Sequence, residues 1–380
     1  MKTKAAVLNA MGAESPYASS KPLTIETLQL DAPGPGEVLV RIKAAGLCHS
    51  DLSVINGNRP RPMPMALGHE AAGIVEEVGP TAGEAGGDDL QPGDHVVFVF
   101  VPSCGHCEPC TEGRPALCEP GAAANGAGTL LSGARRLHRQ DGTPVNHHLG
   151  VSGFAEYATV SRRSLVKVDR ELPLVEAALF GCAVLTGVGA VINTARMPAG
   201  SSIAVIGLGG VGLAALLGAV AAGARTVVAI DLADDKLAFA RELGATATVN
   251  STDPEAADQV IAATGGGVEY AVDLTGSTRA LDLAYRITRR GGTTVTAGLP
   301  PPTATMPLAP VTLVAEERTL KGSYIGTAVP SRDIPRYIAL YRRGRLPVDR
   351  LLTGTIQLED INEGFDALHE GKAIRQVIAL

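Results

Sequence analysis

SSIAVIGLGGVGLAALLGAVAAGARTVVAID, residues 201–231, decides the fold. Ser202 to Ile206 is a β-branched apolar run ending on glycine, and Gly207-Leu208-Gly209-Gly210-Val211-Gly212 follows at the spacing G-x-G-x-x-G. That pattern predicts a strand, a tight turn and a helix start. Residues 211–222 are almost wholly small or apolar, Gly223 stops the helix, and Thr226 to Ile230 is a second apolar run, so the unit is βαβ. Gly207 permits the sharp turn, Gly209 lets a pyrophosphate approach without meeting a Cβ, and Gly212 brings helix against strand. Free N–H groups at the helix start then face the anion.

A glycine triplet alone is weak, and its context strengthens it. Asp231 ends the second strand, 19 residues past Gly212, where a carboxylate can accept hydrogen bonds from the adenosine ribose; it can equally cap the following segment. No arginine lies in residues 231–235, and Asp231, Asp234 and Asp235 would repel a 2′-phosphate. NAD is therefore expected over NADP.

Beyond this unit, strand-like runs at 202–206, 226–230, 246–249, 269–274, 293–298 and 319–324 alternate with helical stretches such as Ala233 to Leu243 and Ala280 to Arg289. Such alternation predicts an α/β doubly wound parallel sheet of six strands. Upstream the character differs. Val38 to Ile42 alternates apolar and polar residues, Ala72 to Val78, His95 to Val101 and Phe154 to Val160 read as strands, and Gly79 to Asp94 reads as turns. A compact β-rich first domain is implied. Helices are expected around Ile334 to Arg343 and Ile361 to His369, and a final strand, Ala373 to Leu380, is expected to return to the first domain.

At 380 residues and 45% hydrophobic composition, two cores are expected. A net charge of −6 offers no basic stripe for nucleic acid or anionic lipid. Neither a secretory h-region nor an uninterrupted apolar run of membrane length is visible, so a cytoplasmic protein acting on small molecules is expected.

Four of the six cysteines crowd into one loop: Cys104, Cys107, Cys110 and Cys118, spaced C-x₂-C-x₂-C-x₇-C. Such spacing lets one loop surround a structural Zn²⁺ with four thiolates. An iron–sulfur cluster is the rival, but the ferredoxin pattern continues x₃-C-P, whereas here Glu119 follows the fourth cysteine. Cys48 stands in Gly46-Leu47-Cys48-His49-Ser50-Asp51, His69 in Gly68-His69-Glu70, and Cys182 in Gly181-Cys182-Ala183. Two thiolates and an imidazole would leave a zinc one open position, as catalysis needs. Spacing alone does not join these three.

At these motifs the chain resembles the zinc-dependent medium-chain alcohol dehydrogenases, particularly the liver-type and glutathione-dependent formaldehyde dehydrogenase branch, over nearly its whole length. The resemblance implies a GroES-like catalytic domain over 1–185 with a zinc lobe at about 100–120, a Rossmann domain over 186–328, and a return over 329–380. It implies a catalytic zinc on Cys48, His69 and Cys182, with Glu70 as alternative ligand and Asp51 behind His69, besides the structural zinc. Ser50 would pass on the alcohol proton; where liver-type members end that relay in histidine, this chain has Ser53. His49 and Arg375 are implied at the pyrophosphate, Thr186 and Val211 near the nicotinamide, and Lys236 with Asp231 at the adenosine, beside the loop Gly207, Gly209, Gly210 and Gly212.

The implied substrate pocket is Arg59, Phe100, His148, Leu149, Leu299 and Tyr324, suited to a medium-chain or aromatic alcohol, primary favoured. Arg59 and His148 read either as selectors of a polar tail or as solvent-facing. The long segment from Cys118 to Gly150 implies a homodimer, with strand Gly292 to Leu299 pairing across a two-fold axis. A thiol-dependent formaldehyde dehydrogenase is the alternative enzyme, although Arg59 stands where those relatives carry an acid. A nucleic-acid-binding zinc ribbon is disfavoured by charge and by 3% aromatic content, and a non-catalytic scaffold by the intact motifs.

Overall fold

The structure is a computed structural model and describes residues 1–80 and 90–380. Part of the turn-rich stretch expected at Gly79 to Asp94 therefore lies outside the described residues. The chain packs as two units: Met1–Cys182 with Val329–Arg336 and Leu352–Leu380, and Ala183–Ala328 with Tyr337–Leu351. Within the 329–380 return expected from the sequence, Tyr337–Leu351 packs with the second unit instead.

In the second unit, strand Ser202–Ile206 runs into helix Gly210–Ala221 and on to strand Thr226–Asp231. The described strands form a six-stranded sheet whose pairings are all parallel. Its order is Ala247–Asn250, Thr226–Asp231, Ser202–Ile206, Val268–Asp273, Thr288–Thr296, Thr319–Gly322, the doubly wound arrangement. Ile206, Val228, Ile230, Val249, Val260 and Ile287 are buried together on one face, each contributing about 1.5–3 kcal/mol by leaving water. A Cβ on Gly212 would stand 1.7 Å from the Gly207 carbonyl oxygen, so only glycine lets this helix start so close to the turn.

One expectation is corrected. Strand Gly292 to Leu299 is expected to pair across a dimer axis, yet its residues Thr293 to Thr296 lie inside the sheet between Val268–Asp273 and Thr319–Gly322. A strand has two hydrogen-bonding edges, and its own chain uses both. The sheet's outer strands are Ala247–Asn250 and Thr319–Gly322.

The first unit is built on antiparallel pairing, as the alternating runs predict. Lys2–Leu8, Leu23–Leu30, Leu137–His138, Pro144–His147 and Met65–Ala66 close into a small barrel. Ala5, Val7, Leu28, Leu30, Ala66 and Val145 lie among its buried core residues. A second sheet runs Leu165–Val168, His95–Phe98, Ala71–Val78, Glu37–Gly46, Arg375–Ala379, Leu352–Ile356, with Tyr157–Ser161 also on Glu37–Gly46. The predicted final strand thus returns to the first unit, and helix Ile361–His369 has the predicted bounds. No single helix among the described residues is long and apolar enough to cross a membrane.

Candidate metal centre

Three chain segments of the first unit converge. Strand Glu37–Gly46 ends just before Cys48, which stands at the N-cap of helix His49–Ile55. Its approach is pinned because Gly46 N–H donates to the Glu70 carbonyl at 2.8 Å and Leu47 N–H to that of Gln376 at 3.0 Å. His69 follows Gly68, whose φ is +92° and whose Cβ, if present, would stand 2.4 Å from Phe154 N. Any other residue would push the imidazole loop away. Cys182 follows the short turn Leu179–Gly181.

The ligating atoms of Cys48, His69, Glu70 and Cys182 lie within 4.8 Å of one another, and all four residues are buried. His69 Nε2 is 3.4 Å from Cys182 Sγ, and its Nδ1 is 3.0 Å from Asp51 Oδ1. With Nδ1–H donating to that carboxylate, Nε2 faces the sulfurs with its lone pair, the tautomer a metal ligand needs. Asp51 is fully buried and also accepts from Gly68 N–H at 3.2 Å.

Two thiols this close share a proton. The bond from Cys182 holds Cys48 well below the usual thiol range, and the same bond pushes Cys182 well above it. Burial would raise Asp51, but the facing imidazoles hold it below the usual carboxylate range. Burial pushes Glu70 up to about 7 despite Arg375. Neither Glu70 oxygen has a hydrogen-bond partner, although Oε2 is 3.3 Å from Arg375 Nη1. Two sulfurs, an imidazole lone pair and an unsatisfied carboxylate at one buried point fit a divalent zinc-like cation, whose charge would satisfy donors that are costly to bury alone.

The four-cysteine lobe is a second, separate cluster. Its Sγ atoms lie within 4.8 Å of one another, with Cys104 and Cys118 buried and the other two half-buried. Cys104 N–H and Gly121 N–H donate to Cys118 Sγ at 3.1 and 3.3 Å, and Cys107 N–H donates to Cys104 Sγ at 3.3 Å. Burial pushes Cys110 up to about 12. All six cysteines are free thiols. Four sulfurs with no other ligand type match a closed structural zinc site.

In the second unit, Asp231 Oδ2 accepts from Leu208 N–H at 2.6 Å, and Oδ1 from Leu232 and Ala233 N–H at 2.8 and 3.1 Å. The carboxylate thus sits against the glycine turn and holds the two residues after it, while helix Asp234–Glu242 itself has no side-chain cap. No atom beyond its chain neighbours and its own helix lies within 4 Å of where a Gly209 Cβ would be, so that side of the turn is open for a phosphate. Gly210 and Val211 begin the helix, Lys236 lies in helix Asp234–Glu242, and Thr186 in helix Ala183–Gly189.

The other predicted residues divide. Phe100 and His148 flank His69 edge-on, with ring centroids 5.2 and 5.5 Å away. Leu149 is buried beside them, and Arg59 is half-buried with its N–H on the Ser53 carbonyl at 2.8 Å. Leu299 and Tyr324 belong to the second unit and are exposed. The solvent-facing reading of His148 is overturned: it is 1% exposed, with Nδ1 3.1 Å from Asp51 Oδ1. Nothing in the sequence signals that contact, because only barrel closure brings the two residues together. Arg375, read as a pyrophosphate ligand, is buried with Nη1 donating to the Leu47 carbonyl at 3.0 Å. His49 is exposed, Ser50 is half-buried in the first turn of its helix, and Ser53 Oγ donates to the His49 carbonyl at 2.8 Å.

Comparison with known proteins identifies the family. Residues 34–170 match the model of the alcohol dehydrogenase GroES-like domain, and residues 210–343 that of the zinc-binding dehydrogenase. The NDMA-dependent alcohol dehydrogenase of Amycolatopsis methanolica is 41% identical over 100% of this chain and 99% of its own. The S-(hydroxymethyl)glutathione dehydrogenase of Paracoccus denitrificans is 37% identical over 100% of both. The crystal structure of benzyl alcohol dehydrogenase from Acinetobacter calcoaceticus superposes with a TM-score of 0.92 at 32% identity, covering 100% of this chain and 99% of that one.

Proposed function

The chain belongs to the zinc-dependent medium-chain alcohol dehydrogenases, oxidoreductases that interconvert alcohols and their carbonyl compounds, and from that premise we propose that it oxidises a medium-chain or aromatic primary alcohol with NAD. The observation that carries this reading is the convergence of Cys48, His69, Glu70 and Cys182 at one buried point. Cys48, His69 and Cys182 hold the catalytic zinc with Glu70 as a further donor, and Cys104, Cys107, Cys110 and Cys118 hold the structural one. When bound, the zinc supplies Lewis-acid polarisation of the substrate oxygen and the nicotinamide supplies the hydride acceptor.

The protein's own residues do the rest. Asp51 fixes the His69 tautomer, and Ser50 Oγ accepts the alcohol proton while passing its own hydroxyl proton on to water. Ser53 spends its hydrogen on the His49 carbonyl, so it does not carry that proton onward. Phe100 and Leu149 give the site an apolar wall, which suits the aromatic substrate in the benzyl alcohol relative's name. Asp231 selects NAD by accepting from ribose hydroxyls, and near-equal efficiency with NADP removes that part. Metal analysis with an alcohol panel followed at the NADH absorbance band is the direct test; fewer than two zinc per chain, or no NADH formed, refutes the proposal.

A thiol-adduct substrate is the second reading, favoured by the glutathione-dependent relative. It requires formaldehyde turnover only when a thiol is added. The proposed working form is a cytoplasmic homodimer that binds neither nucleic acid nor membrane. Free cysteines and acidic charge support it, as does outer strand Thr319–Gly322 on a unit that exposes Val311 and Val314 at 67% and 80%. A monomeric mass by light scattering removes the dimer.

A further inference from the structure

The loop bearing His148 is stitched to the loop bearing His69. His148 N–H donates to the Ala66 carbonyl at 3.3 Å, Gly153 N–H to that of Gly68 at 2.9 Å, and Phe154 N–H to that of Leu67 at 3.1 Å. Ser152 Oγ accepts a second bond from His148 N–H at 3.2 Å, and Leu149 takes a φ of +51° to complete the turn. A leucine in the left-handed region is strained, and such strain persists where surrounding structure overdetermines it. The backbone therefore commits the His148 ring to one place, beside Asp51.

Two buried groups there lack a hydrogen-bond partner: His148 Nδ1 and Asp51 Oδ2. Nδ1 is already 3.1 Å from Oδ1 of the same carboxylate, while Oδ1 serves both Gly68 N–H and His69 Nδ1. A small rotation of the ring puts Nδ1–H on the carboxylate and satisfies both orphans, which are costly to leave buried and unpaired. We propose that His148 is a positioning residue of the metal centre, a second imidazole donor that holds the Asp51 carboxylate in the orientation that fixes His69. The proposal rests on the reading of Cys48, His69 and Cys182 as zinc ligands. It removes His148 from the residues that select a substrate tail, because its donor faces inward.

The test uses the zinc-loaded full-length enzyme and follows release of both zinc ions to a chelator. His148→Leu removes the donor at similar volume and is expected to speed release from the buried centre about 10–100-fold, the usual cost of losing a partner behind a metal ligand. Release from the four-cysteine lobe stays unchanged. His148→Asn restores an N–H near Nδ1 and returns the parent rate, and cobalt(II) in the buried centre gives a spectrum shifted in the leucine variant and restored in the asparagine one. Leucine release at the parent rate, or asparagine no better than leucine, overturns the proposal. Where the leucine variant does not fold, ¹⁵N-histidine labelling of the parent enzyme decides. Carboxylate-bonded Nδ1–H protons shifted downfield on both His69 and His148 support it, and one on His69 without one on His148 overturns it. A parent enzyme carrying one zinc per chain refutes the metal reading itself, a distinguishable result.

Discussion

In the four-cysteine lobe every ligand comes from one loop, Cys104 to Cys118, and backbone N–H groups reach two of the sulfurs. In the buried centre the ligands come from three separate elements, and the neighbours are charged side chains: Asp51 behind His69, Arg375 beside Glu70. The first site is a local device, closed by spacing. The second is a product of the fold, where buried charge is balanced by other buried charge, and each member depends on the rest being in place. On the proposed reading, stability belongs to the one and chemistry to the other.

The sharpest way to break this comparison is to remove one ligand from each site. Cys182→Ser is expected to lower turnover by more than about 10³-fold, since a metal's polarisation is worth several kcal/mol. NAD binding, followed by NADH fluorescence titration, stays near the parent value; retained activity contradicts the assignment. Cys110→Ser should act oppositely, lowering the midpoint of thermal unfolding by several degrees while kcat per folded molecule changes little. Equal loss of activity in both variants would erase the division of labour.

Asp51→Asn sharpens the contrast by leaving every ligand in place. It is expected to cost about 10–100-fold in affinity for the catalytic zinc and nothing at the lobe, measured by competition with a chelator. The last prediction concerns acid. Burial, with nearby arginines, holds His147 down to about 3, so it stays neutral in the folded protein while the unfolded chain protonates near its ordinary value. Above about pH 6.5 the two states match. Below it the unfolded state binds the extra proton, so stability falls as pH falls, by up to about 1.4 kcal/mol per pH unit until about pH 3. His147→Gln should flatten that slope in denaturant titrations run between pH 6.5 and 4.5.

The same division explains what could be read in advance. Gly207 to Gly212, Asp231 and the spacing of Cys104 to Cys118 are contiguous, so backbone chemistry makes them legible. Alternation of strands and helices then predicts a doubly wound parallel sheet, though not its edges. Cys48, His69 and Cys182 could be joined only through resemblance, because no local rule relates three residues that barrel and sheet bring together. His148 and Arg375 escaped in another way. Their side-chain directions depend on strand register, and the bonds Gly153 to Gly68 and Leu47 to Gln376 that set it lie between distant segments. The edge expected at Gly292 to Leu299 failed similarly: which strand ends the sheet is decided by the pairing of Thr319–Gly322 with Thr293 to Thr296, a contact between separate segments that no local pattern states.

Strand Arg375–Ala379 lies along Glu37–Gly46 and carries the cation that faces Glu70. On the ribosome Cys48, His69 and Glu70 emerge early and Arg375 far later. Until then the nascent segment presents sulfurs and an uncompensated carboxylate to water, without the wall that encloses them in the finished protein. All four cysteines of the lobe have been made once Cys118 is, whereas the buried centre waits for the strand that brings Arg375 to Glu70.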